Sequence, residues 1–390
     1  MKILALAAAA LLAPVGAAAF WIHSTAEHRA AAMASRLRQL RSEALAPDTA
    51  RRAGTESGNA WENYLKALAG ASKLDSYKLD ALVERKETAD PAYGTAALAG
   101  SGSAIDHLLQ GSRRASCVPP ETIDWINASR GDALLRLVIL RARALSEEGK
   151  GERAVDLLLA LCQFGRDVAE SPSGLGEYTS DWALKLSFVE LRDALLRPAW
   201  PPADFAALES RLELLDEAFP RLEQIRRRKL RRLGALHEER AQESGIVASL
   251  RSWRYGFSPR IQWAVVFESW DRWIHQAMEA DRLPWPKVRA ELNRIRAEIE
   301  GAPLVEQGVL EEEIRHRVLR TQLRLLRAAA RYRRTGEILI LDDPFGGKLL
   351  HREAGGRLTL WSVAWDGLDE GGKGKWELRT TGDIVIEVPR

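Results

Sequence analysis

The strongest constraint on this chain is a change of hydrophobic period near its end. From Ala26 to about Arg334, apolar residues recur at three and four residue spacing, with Pro, Gly and Ser at the breaks. That is the pattern of successive amphipathic helices. After Gly336 the pattern turns to short β-rich runs: ILIL at 338–341, KLLHRE at 348–353, RLTLWSVAW at 357–365, KWELR at 375–379 and DIVIEV at 383–388. Glycine pairs at 346–347, 355–356 and 371–372 punctuate them, as hairpin turns require. The predicted fold class is mainly α, an α-helical array of antiparallel hairpins with a small antiparallel β appendage at the C-terminus. The domains are 24–334 and 335–390, joined too closely at Thr335 and Gly336 for a long linker.

Within the array the first helix, Ala30 to Leu45, carries Met33, Leu37, Leu40 and Ala44 on one side and continues as a stalk; Pro47 to Gly58 reads as a loop. The clearest unit is an αα-hairpin over 134–170. Leu134, Val138, Ala142 and Leu145 form one face, Glu147 to Gly151 the turn, and Ala154, Leu158, Leu161 and Gly165 the next face. It is tetratricopeptide-like only in Ala154 and Leu158, since the Trp, Tyr and terminal Pro of that repeat are missing. Further helices are predicted at 178–196, 203–219, 222–244, 261–282 and 285–300, with prolines near their ends.

Residues 3–22 carry no charge, follow Lys2 and are just long enough to cross a bilayer core. Residues 1–23 are therefore a signal anchor or a signal peptide. Ala17 and Ala19 form an A-x-A cleavage signal, whereas Phe20, Trp21 and His23 favour a retained interfacial anchor. The expected location is the inner membrane, facing the periplasm, or export after cleavage.

Charge names no polyanionic partner, because 57 basic residues stand against 54 acidic ones and the net charge is +3. No nucleic acid is expected as a partner. Two cysteines, Cys117 and Cys162, are too few for a four-thiolate zinc site, though they could form one bridge. The histidines are scattered, with no zinc-binding pair on a helix face, and no nucleophile elbow, Walker loop or dinucleotide fingerprint is present. Glu177 and Asp181, at helical spacing, are the paired carboxylates of an alternative reading as an envelope enzyme.

Arg317, Arg320, Arg324, Arg327, Arg331 and Arg334 fall at intervals of three and four, opposite Ile314, Val318, Leu325 and Ala329. Such a row attracts anionic headgroups or an acidic partner, lies solvated, or pairs with an acidic helix such as Asp204 to Glu217. A second basic cluster runs from Arg226 to Arg232. Aromatics concentrate over residues 253–273, where Trp263, Phe267, Trp270 and Ile274 share a core-like face. Trp273 and the loop aromatics offer a glycan or peptide stacking platform as a further alternative.

The tail resembles the globular end of type II secretion major pseudopilins. The shared elements are Ala329 to Tyr332, Asp343-Pro344-Phe345-Gly346, Trp361 to Gly367, Asp369-Glu370-Gly371-Gly372 and Asp383-Ile384. The resemblance implies a calcium clamp with Asp366, Asp369 and Asp383 as ligands and Glu370 beside them, although Ala364 stands where that family has glycine. The prepilin cleavage signature is missing, so polymerisation as a pilin is not implied. The helical part, with SRRASC at 112–117, is similar to uncharacterised bacterial envelope proteins that pair such a region with such a tail. The expected function is a membrane-tethered extracytoplasmic scaffold that contacts an envelope protein partner.

Overall fold

The computed structural model describes residues 54–118, 128–169, 174–197, 202–219, 222–227, 271–299, 309–376 and 382–389, with isolated positions between 24 and 39. The N-terminal span, most of the second basic cluster and the aromatics from Trp253 to Trp270 lie outside the described residues. No described helix is long and apolar enough to cross a membrane.

The chain is mainly helical with a small β-sheet at the C-terminus. It divides into two compact units. One unit is Met1–Leu45, Arg226–Glu279 and Arg294–Gln307; the other is Ala46–Ile225, Ala280–Asn293 and Gly308–Arg390, so the tail belongs with the main array. In the first unit, Arg36 lies 3.6 Å from Asp271, and the buried Arg226 donates to the carbonyl of Ala277 at 2.9 Å.

The larger unit begins with β1 (Glu56–Asn59) and α1 (Ala60–Ala71), followed by α2 (Ser76–Val83), α3 (Pro91–Gly100), α4 (Gly102–Arg113) and β2 (Arg114–Ser116). β1 and β2 pair in parallel, which corrects the last three residues of the expected loop and the purely helical reading of the array, while 47–53 lie outside the described residues. The reason lies in side chains that no apolar period records. Arg114 donates to the Ser57 carbonyl at 2.5 Å, and Ser116 to that of Gly58 at 3.0 Å. Asn59 brackets Val118, accepting its N–H at 2.9 Å and donating to its carbonyl at 2.8 Å. The same Asn59 caps α1 by accepting from the Trp61 N–H.

The expected hairpin is present as α5 (Ala128–Glu147) and α6 (Gly151–Ala169). α6 is the core helix, buried almost throughout from Ala154 to Val168. It packs on α7 (Gly174–Leu195), where a side chain at Gly165 would meet Ala183 and the Ser180 carbonyl, so glycine sets the closeness of the two helices. α8 (Pro202–Glu217), α9 (Trp285–Ile299) and the long α10 (Val309–Thr335) follow. The prediction thus has the right elements at 178–196, 203–219 and 285–300.

α10 ends at Gly336, whose N–H makes the last bond to the Tyr332 carbonyl at 2.8 Å and whose left-handed φ of 74° then turns the chain out of the helix. The appendage is a four-stranded sheet of β3 (Leu350–Ala354), β4 (Arg357–Ser362), β5 (Gly374–Lys375) and β6 (Asp383–Pro389) in the order β3-β4-β6-β5. β3 and β4 turn through Gly355 and Gly356, both at positive φ, the geometry of a tight two-residue hairpin. β5 pairs with β6 in parallel, so the sheet is not wholly antiparallel. The expected strand at 338–341 does not form. Its neighbourhood contributes only an isolated bridge between Asp342 and Lys348 and the bond from Leu349 N–H to the Leu341 carbonyl. An apolar run becomes a strand only beside a partner edge in register.

Candidate functional site

The arginine row of α10 is built into a seam with α8. Both helices carry an apolar row, Leu208, Leu212 and Leu215 on α8 and Leu319, Leu323, Leu326 and Ala330 on α10, all buried. One residue further along each lies the charged row, Glu209, Glu213 and Asp216 against Arg320, Arg324, Arg327 and Arg331. Burying the leucines therefore brings the charges together. Arg331 donates to Glu209 at 2.6 Å, Arg327 to Glu213, and Arg324 to both oxygens of Asp216 at 3.2 and 3.0 Å. Arg320 reaches the same Asp216 at 3.2 Å, and Arg334 donates to Glu209 at 3.1 Å. Of the sequence readings of this row, pairing with the acidic helix is the one the structure shows.

α10 also fastens the tail, in part through the same arginine row. Arg317 donates to the Pro344 carbonyl and stacks its guanidinium over Trp285, while Arg324 donates to the Asp342 carbonyl at 2.7 Å. Gln322 donates to the carbonyl of Trp376 at 2.5 Å, and Tyr332 to Glu353 at 2.9 Å. From α9, Trp285 Nε1 donates to the Trp365 carbonyl at 2.9 Å, and its ring meets Phe345 edge-on at 5.2 Å. Arg289 donates to the carbonyls of Trp365 and Asp366, each at 3.2 Å. The Phe345 of the D-P-F-G turn is thus a buried plug against α9. Sequence reading placed that turn but not its receptor, and no signal marks Trp285 as different from other helix-start tryptophans.

In the acidic loop each predicted ligand accepts hydrogen bonds from N–H groups. Asp366 takes those of Leu368 at 3.0 Å and Gly382 at 3.2 Å. Asp369 takes the Trp361 indole at 3.0 Å and the Gly371 N–H at 2.9 Å. Asp383, fully buried, takes the N–H of Gly372 at 2.8 Å and of Glu370 at 3.5 Å. Burial, with repulsion from Asp369 and Glu370, pushes the Asp383 carboxyl above the usual carboxylate range. Among the described residues no three His, Cys, Asp or Glu side chains gather as a metal site. Arranged this way, Asp366, Asp369 and Asp383 each hold a turn through the N–H groups they accept from.

Asp181 accepts from Arg315 at 2.7 Å. Burial pushes its carboxyl up, and Glu312 adds repulsion. The side chain of Glu177 lies outside the described residues. Trp273 is only 4% exposed, which corrects its place in an exposed stacking platform; Ile274 is likewise buried, as expected of the core face. No disulfide joins Cys117 and Cys162; burial pushes the Cys162 thiol up to about 12. A buried polar knot that periodicity does not reveal ties α1 to α6: Tyr64 donates to Asp167 at 2.7 Å, and Gln163 donates to the other carboxylate oxygen at 2.9 Å. No family model, curated protein or solved structure matches the chain.

Proposed function

We propose that this chain is a membrane-tethered, extracytoplasmic helical scaffold that holds a small pseudopilin-like sheet in fixed orientation for contact with an envelope protein partner. The observation that carries the reading is the double use of α10. Its arginine row is zipped to the array through Glu209, Glu213 and Asp216, and Arg324 and Arg317 of the same row, with Gln322, are bonded to tail carbonyls at Asp342, Pro344 and Trp376. A tail held at that many points moves with the array as one piece, which suits presentation of a surface. The tether is supported by the uncharged segment 3–22, and the secretion link by the tail's resemblance to major pseudopilins.

The test is cross-linking in intact membranes followed by affinity purification of the full-length chain, in calcium and in chelator. One discrete cross-linked partner, lost when the tail's Phe345 is replaced by Ser, is the expected result. Recovery of the chain alone, with or without calcium, would overturn the scaffold reading. Calcium stands in this proposal through the resemblance and not through the carboxylate arrangement. The calcium arm decides it: a partner held only in calcium would require the acidic loop to close differently.

A further inference from the structure

We draw no further inference here: the strongest candidate, the surface patch formed by the outer edge of β3 and the apolar run at 338–341 with its exposed Ile340, carries nothing, because nothing in the structure shows what covers it.

Discussion

Replacing Asp216 by Asn tests whether the α8–α10 seam is held by charge or merely decorated by it. Asp216 accepts one bond from Arg320 and two from Arg324, and Arg327 Nη1 lies 3.9 Å away. Asn keeps the volume and one acceptor oxygen. It also removes a negative charge that those three guanidiniums share at this end, and turns an amide N–H toward them. Breaking a buried ion pair costs about 3–5 kcal/mol when it strands the partner charge. Here Arg324 retains the Asp342 carbonyl and Arg327 retains Glu213, so the expected loss is at the low end, about 3 kcal/mol. Arg320→Gln, which removes a half-exposed partner, should cost only about 0.2–1 kcal/mol. Equilibrium urea unfolding followed by tryptophan fluorescence gives both numbers, and calorimetry should show a drop of roughly 6–12 °C for Asp216→Asn. Raising the salt should narrow the Arg320 effect more than the Asp216 effect, because screening acts on exposed charge. A cost under about 1 kcal/mol for Asp216→Asn, or equal costs for the two variants, would show that the leucine rows alone hold the seam.

Gly111→Ala puts a methyl group into the ring of Tyr64 and so disturbs its bond to Asp167; a loss of about 1–3 kcal/mol is expected in urea unfolding, and an unchanged midpoint would contradict the packing. With its thiol pushed up to about 12 by burial, Cys162 should resist maleimide at neutral pH until the chain unfolds, whereas the half-buried Cys117 reacts first, as peptide mass spectrometry would show. Burial raises the carboxyls of Asp343 and Asp383, so the native state holds more protons than the unfolded chain above the ordinary carboxylate pKa of about 3.9. Their contribution is fully present below that value and is lost as pH rises through the raised values, so urea midpoints should be higher near about pH 4.5 than at neutral pH. Asp342, held low by Lys348, acts in the opposite sense and only below the ordinary range. Asp383→Asn should flatten the slope, and a steeper slope in that variant would refute the assignment. Calcium and chelator should give the tail the same unfolding midpoint if Asp366, Asp369 and Asp383 hold turns, and a rise in calcium would show that they converge on the ion.

What was legible in the sequence depended on whether one row of residues was enough to specify the contact. The α5–α6 hairpin could be read because Leu134, Val138, Ala142 and Leu145 repeat at the helical period and Gly151 begins the next helix. β4 and β6 could be read because Leu358, Leu360, Ile384, Ile386 and Val388 alternate inward. The ILIL run failed for the opposite reason: its composition is β-like, but strand formation needs an edge that sequence does not display. The β1–β2 pair escaped because Arg114, Ser116 and Asn59 hold it by side-chain bonds to backbone, with no apolar period at all. In the acidic loop the residue types suggested a metal, and the backbone N–H groups that occupy those carboxylates could not be read from residue types.

The seam shows how a charged row can help to specify register. Counted down α10, the arginines that meet Glu209, Glu213 and Asp216 are Arg331, Arg327 and Arg324, steps of four and three against steps of four and three on the antiparallel α8. Sliding α10 by one turn toward either end offers Arg334, Arg331 and Arg327, or Arg327, Arg324 and Arg320, each with steps of three and four. Both slides leave the middle carboxylate out of phase with its guanidinium, and the slide that brings Arg334 to Glu209 also brings Arg333 into line with Leu208. Apolar burial brings the two helices together, and the ion pairs help to fix one alignment, a role that buried charges fill in helical assemblies. The alignment also decides where the tail sits, because Arg317 and Arg324 carry the carbonyls of Pro344 and Asp342 on the same helix. A one-turn slip would carry those two donors about 5.4 Å along the axis and displace the sheet relative to α8 by the same amount.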